Sequence, residues 1–249
     1  MTKHIYENDF FSYVNSTSSR SAKYFLEAVK FPFPIDSVVD IGCGKGAWLK
    51  QWEMYTTDVF GIDGSYVDIE TLLIDRNKFH AADLTQPINL NRHFSLVQCL
   101  EVAEHLDELF ADTLIQNIIN HGDIILFSAA QPGQGGEFHV NEQTINYWVK
   151  KFSKNGFICF DYIRPQIKDI TSIEPWYRFN TVIFIRDNKL CELDLDSDFM
   201  STKVDESYDF TKIIPTTWLL RNKLLSYLPT NIITYLSKIK QKLLPLIKS

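Results

Sequence analysis

Glu101, Glu104, His105 and His139 form the grouping with the plainest chemical potential in this 249-residue chain. Carboxylate and imidazole side chains together suit a Mg²⁺ or Mn²⁺ ion. The run Glu101-Val102-Ala103-Glu104-His105 follows Phe94-Ser95-Leu96-Val97-Gln98-Cys99-Leu100, an apolar segment that reads as a strand. If the run opens a helix, its i, i+3, i+4 spacing sets Glu101, Glu104 and His105 on one face. His139 follows a later strand and would add a fourth ligand or act as a general base. The catalytic candidates are therefore His139, Glu101 and His105. The plainer alternative is that the Glu-His pair only caps a helix and orders a pocket.

A second grouping lies upstream. Val38-Val39-Asp40-Ile41 runs into Gly42-Cys43-Gly44-Lys45-Gly46, and Ala47-Trp48-Leu49-Lys50-Gln51-Trp52-Glu53 then reads as a helix. Glycines allow positive φ and close approach of backbone to a ligand, and ligands of open α/β sheets sit beyond the carboxyl ends of the strands. The spacing is GxGxG, not the GxGxxG of dinucleotide-binding folds. Asp63 ends a second strand 23 residues after Asp40, placed to accept both hydroxyls of a ribose. Asp83 follows a third strand and lies in reach of an adenine amino group, and Glu101 follows the fourth. Four strands ending in an acid at one edge describe a ligand site better than four unrelated surface acids.

Bringing these residues together requires a particular order of elements. Residues 4–31 read as a helix, with Tyr24, Phe25 and Ala28 covering the sheet edge and Pro32 and Pro34 ending it. Strand and helix patterns then alternate, which favours a parallel sheet. Residues 123–128 form a fifth strand, and the glycine-rich Gln131–Gly136 segment reads as an active-site loop that Asn141 and Glu142 hold closed. Residues 146–152 read as a helix, and 157–162 and 180–185 as two last strands. Trp148, Trp176, Tyr177 and Arg178 form either an aromatic wall with a cation for a ring substrate or ordinary core.

From Ser37 to Arg186 these motifs resemble the class I S-adenosylmethionine-dependent methyltransferases. The resemblance implies an α/β fold with a doubly wound, seven-stranded, mostly parallel Rossmann-like sheet. It also implies S-adenosyl-L-methionine as cofactor, contacted at Asp40, Gly42, Gly44, Gly46, Asp63, Asp83, Leu84 and Leu100. Residues 127–136, His139-Val140-Asn141-Glu142-Gln143 and Trp176-Tyr177-Arg178 are similar to a bacterial group of such enzymes that often accompany surface-polysaccharide or small-molecule pathways. The Glu101, Glu104, His105, His139 pattern resembles metal-dependent O-methyltransferases of ubiquinone biosynthesis and of small-RNA 3′ ends, which implies a Mg²⁺- or Mn²⁺-assisted reaction. The expected activity is O-methylation of a hydroxyl on a sugar, glycan or other small metabolite. RNA 2′-O-methylation and a non-catalytic cofactor-binding scaffold are the alternatives.

Composition limits the remaining choices. The four cysteines, Cys43, Cys99, Cys159 and Cys191, form no CxxC pair and read as reduced thiols of a cytoplasmic protein. The first residues have no signal-peptide core, and no apolar run approaches a membrane span. Residues 187–210 are acid-rich and read as a linker. From Thr211 to Ser249 there are seven basic and no acidic residues, which leaves residues 1–210 with a net charge of −13 against −6 for the whole chain. The acidic body makes nucleic acid an unlikely partner. The tail, broken by Pro229 and Pro245, reads as short basic amphipathic helices that pack on a protein surface or contact the inner face of a membrane.

Overall fold

The computed structural model describes residues 8–229 together with Ile232, Thr234 and Tyr235. His4 and the tail residues Lys238, Lys240, Lys242, Leu243, Leu244, Pro245 and Lys248 lie outside the described residues.

Eight strands form one sheet: β1 (Ser37–Ile41), β2 (Asp58–Asp63), β3 (Phe79–Ala81), β4 (Leu96–Leu100), β5 (Ile124–Ser128), β6 (Phe157–Phe160), β7 (Val182–Arg186) and β8 (Lys203–Val204). Their spatial order is β3-β2-β1-β4-β5-β7-β6-β8. The first five strands are parallel, and β7 inserts antiparallel between β5 and β6. Strand order reverses between β1 and β4, so a crevice opens beyond their carboxyl ends. The glycine turn and Glu101 both lie at that crevice.

The strands are buried on both faces, which is why they read as nearly continuous apolar runs. Val39, Ile41, Val97, Cys99, Ile125 and Phe127 pack beneath α3 (Ala111–Ile119) and α4 (Ile145–Ser153). Val38, Leu96, Leu100, Leu126, Ile183 and Ile185 face the opposite layer of α1 (Asn8–Ala28), α2 (Ala47–Trp52), α5 (Ile163–Ile167) and α6 (Pro175–Asn180). Within that layer Trp48 meets Phe25 at 5.1 Å and Tyr177 at 5.0 Å, both edge-on, the arrangement that ring quadrupoles favour. Of the residues expected to cover the sheet from α1, Phe25 is buried whereas Tyr24 points outward.

The sheet has eight strands rather than the expected seven, and the additional one lies in the supposed linker. Residues 187–210 contain α7 (Asp187–Leu190), α8 (Ser197–Met200) and β8, which pairs antiparallel with β6. Phe199 is fully buried, stacked on Phe160 at 4.6 Å and edge-on to Phe33 at 6.3 Å. Asp161 N–H donates to the Thr202 carbonyl at 2.9 Å, and the Phe210 carbonyl accepts from the buried Arg164 guanidinium. The linker expectation is thus corrected: the segment is part of the domain. Among the described residues no helix is long and apolar enough to cross a membrane.

Phe199→Ala is expected to lower unfolding stability by about 3–5 kcal/mol, the cost of an empty aromatic site in a core. Equilibrium urea unfolding checks this, since a residue in a true linker would leave the midpoint unchanged.

Candidate active site

Gly42, Gly44 and Gly46 hold φ of 85°, 55° and 82°, the left-handed region that costs glycine least. The turn needs them for different reasons. A Cβ on Gly42 would lie 2.3 Å from a Val102 methyl, whereas one on Gly44 would meet nothing within 4 Å. The backbone therefore passes tightly under Val102 and then faces open space. Asp63 secures the turn from β2: Oδ2 accepts from Gly44 N–H at 2.6 Å, and Oδ1 accepts from Gly64 N–H at 2.6 Å and from the Tyr66 hydroxyl.

Asp40 lies one residue before the end of β1 and is also buried. Burial pushes its carboxyl up to about 7; the neighbouring Gln98 side chain opposes the rise and the nearby Asp63 charge adds to it. Gln98 is itself held by Trp52, whose indole N–H donates to Oε1 at 2.9 Å. Burial also raises Asp63, against the pull of Tyr66 and the two glycine N–H groups. Asp83 differs from these acids. It is exposed, with Oδ1 accepting from Thr85 N–H and Oγ1 at 3.0 and 2.7 Å. Leu84 and Leu100 are buried in the core.

The segment after β4 does not open an α-helix. Glu101 takes φ 57°, and only Ala103–His105 form a single 3-10 turn. The two carboxylates consequently take different partners, although the Glu101 charge still raises Glu104. Glu101 accepts from Gln134 Nε2 at 2.7 Å and Asn180 Nδ2 at 3.2 Å, while Asn180 also donates to Gln134 Oε1 at 2.8 Å. Of the four residues expected to act as ligands, three converge: the potential ligand atoms of Glu104, His105 and His139 all lie within 4.8 Å of one another, without Glu101.

These three residues are braced from the glycine-rich loop. The Glu142 carboxylate accepts from Gly133 and Gly135 N–H at 2.7 and 2.8 Å and lies 2.8 Å from His139 Nδ1. Burial alone would raise Glu142, but His139 and the glycine N–H groups outweigh it and hold the carboxyl below its usual range. An ionised Glu142 only accepts, so Nδ1 is the ring nitrogen that donates to it and Nε2 is the one turned away from Glu142. The His139 ring meets His105 edge-on at 4.9 Å. Val140 and Asn141 N–H donate to the Glu104 carbonyl at 2.8 and 3.1 Å, tying the loop to the 3-10 turn. Burial and the Glu101 charge hold the Glu104 carboxyl well above its usual range, and its Oε2 is buried without a hydrogen-bond partner. An orphaned carboxylate oxygen beside two imidazoles fits a divalent cation.

The aromatic wall is not formed. Trp148 is buried against Phe127 in the α3–α4 layer, whereas Trp176 and Tyr177 belong to the layer on the opposite face of the sheet. The Tyr177 hydroxyl is 3.1 Å from the Ser18 hydroxyl, and Arg178 donates to the Lys168 carbonyl at 2.8 Å. Trp148 and Tyr177 are buried, whereas Trp176 and Arg178 are half-buried. Gln98, Gln134 and Asn180 carry no mark in the sequence, since an amide in an apolar strand or loop gives no local signal of its partners.

A crevice at the strand switch point, an open left-handed glycine turn and a buried acid ending β2 define the class I S-adenosylmethionine-dependent methyltransferases. Residues 13–176 match a family model described as a methyltransferase domain, and the chain belongs to that family. No curated protein matches it. Its fold is similar to that of human N-acetylserotonin methyltransferase, solved with S-adenosylmethionine, at 14% identity and a TM-score of 0.50, covering 71% of this chain and 55% of that one. An O-methyltransferase family protein from Burkholderia thailandensis matches at 12% identity and a TM-score of 0.52, covering 71% and 57%. A likeness to the small RNA methyltransferase HEN1 covers 75% of this chain and 26% of that one, at 17% identity and a TM-score of 0.49. The chain thus spans about half the length of the first two and about a quarter of the third.

Asp40 releases its proton near 3.8 in the unfolded chain and near 7 in the folded one. The folded state therefore binds more protons between those values, and its stability falls as pH rises through that window. Asp40→Asn is expected to flatten the slope between pH 4 and 7 and to raise stability at pH 8 relative to the parent, each tenfold change in proton affinity being worth about 1.4 kcal/mol. Urea midpoints measured across that range check it.

Proposed function

We propose that this chain methylates a hydroxyl oxygen of a small acceptor, a sugar, glycan or other metabolite, held beside Glu104, His105 and His139. The convergence of those three residues at the crevice that also holds the glycine turn carries the reading. Methyl transfer needs the acceptor oxygen in line with the sulfonium, and position alone supplies much of the rate. The buried carboxyls of Asp40 and Asp63 suit a cationic cofactor, because a nearby positive charge relieves the burial cost that raises them. Asp63 would accept the ribose hydroxyls in exchange for the hydroxyl of Tyr66, whose side chain lies largely in solvent.

Glu104, His105 and His139 would hold a divalent cation, with Mn²⁺ favoured over Mg²⁺ by two imidazoles to one carboxylate. Bound there, the ion would lower the pKa of the acceptor hydroxyl and orient it. The residues themselves set the geometry. Glu142 fixes the tautomer and aim of His139, as carboxylates behind metal-binding histidines do. The same aim would suit His139 as a general base, since Nε2 then receives the acceptor proton directly.

Calorimetric titration of S-adenosylmethionine is expected to show binding that Asp63→Ala weakens by about tenfold or more. Mn²⁺ titration of the parent should show one site that His139→Ala and His105→Ala each abolish. Methyl transfer that persists in chelator yet falls about a hundredfold in His139→Ala would assign His139 as the base instead. No cofactor binding would overturn the activity altogether.

A further inference from the structure

Helix α9 (Thr216–Leu225) lies directly on the glycine-rich loop. Arg221 Nη1 donates to the Gln134 carbonyl at 2.9 Å, and a Cβ on Gly133 would fall 2.0 Å from the Asn222 carbonyl oxygen. The Trp218 ring stands 6.0 Å from that of Phe179. One side of α9 therefore joins the same loop that leads to His139 and is held by Glu142.

The other side faces outward and is apolar. Leu220, Leu224, Tyr227 and Leu228 recur at i, i+4, i+7 and i+8, and the first three are 56%, 61% and 74% exposed. Lys223 is exposed among them, and Ile232 and Tyr235 beyond Pro229 are exposed as well. Apolar residues on both sides of one helix are more than intramolecular packing requires. From Thr211 to Ser249 the chain adds seven basic and no acidic residues, whereas residues 1–210 carry −13.

We propose that the outward face of α9 docks on an anionic lipid bilayer and holds the glycine-rich loop at its surface. Resting on the methyl-transfer reading above, this identifies the acceptor as a hydroxyl compound carried on a lipid. Leucine and tyrosine interleaved with lysine suit the headgroup boundary, where rings and apolar chains enter the interface and ammonium groups meet lipid phosphates. The acidic body would be repelled from the same surface, which orients the α9 face towards it. RNA phosphates would satisfy the basic charge but offer nothing to the leucine strip. A two-fold dimer through this face would leave its basic charge without an acidic partner.

The test uses the full chain and sedimentation with vesicles of phosphatidylcholine alone or containing about 30 mol% phosphatidylglycerol. Retention is expected only on the anionic vesicles, falling with salt and reduced about tenfold or more in Leu220→Glu/Leu224→Glu. Cofactor affinity of that variant should equal the parent's, which shows that the fold is kept. Backbone hydrogen exchange over residues 131–136 should slow on the anionic vesicles. The proposal is overturned by retention that the double variant leaves unchanged, by absence of retention in a chain that binds cofactor, or by exchange in the loop that vesicles do not alter. Single-stranded RNA that displaces the protein from vesicles, or self-association lost in the variant, would assign the face to another partner. A chain that binds anionic vesicles but no S-adenosylmethionine would sink the methyltransferase activity and leave the docking standing.

Discussion

Buried negative charge at the carboxyl edge of the sheet is the constraint on which the rest of this structure depends. Asp40, Asp63, Glu101 and Glu104 are withdrawn from solvent near the strand ends, and burial raises the proton affinity of each. An uncompensated buried carboxylate is costly, so each is hydrogen-bonded, protonated or matched by a cation. The chain answers differently at each position. Asp63 directs its oxygens to the backbone N–H groups of Gly44 and Gly64, which makes the acid part of the turn it stabilises. Asp40 lies beside the Gln98 side chain, whose oxygen Trp52 holds. Glu104 retains an oxygen without a hydrogen-bond partner, and chemistry is most readily placed there.

The glycine-rich loop is organised by one residue of the segment that follows it. Glu142 collects Gly133, Gly135 and His139, so a single carboxylate sets both the path of the backbone and the aim of the imidazole. The loop's glycines are needed for proximity as much as for φ. A Cβ on Gly136 would lie 2.1 Å from His139 Nε2, and one on Gly133 would collide with α9. Loop, imidazole and α9 are therefore joined by contact.

Much of this is legible in the residues alone. The parallel strands, the glycine turn, Asp63 at the end of β2 and the hold of Glu142 on the loop follow from periodicity, spacing and the need to restrain a glycine-rich segment. The failures have physical causes. Residues 187–210 read as a linker because short elements show no period and exposed Asp194, Asp196 and Asp198 outweigh the inward Phe199 and Phe210 in composition. Trp148 and Tyr177 read as neighbours because type and number do not reveal opposite faces of a sheet. The partners of Glu101 leave no trace at all: Gln134 and Asn180 lie 33 and 79 residues away.

The unforeseen conformation of Glu101 gives the two carboxylates of this turn different partners, while the Glu101 charge still raises Glu104. A left-handed residue costs a non-glycine roughly 1–2 kcal/mol, and the surroundings offset it. Glu101 N–H donates to the Ser128 carbonyl at 3.0 Å, and its side chain enters the amide network of Gln134 and Asn180. The turn thereby sends one carboxylate to neutral amide donors and leaves Glu104 to the histidines. Backbone strain of this kind persists where the surroundings over-determine it, and here it separates an acid that supports the loop from an acid that can bind a cation.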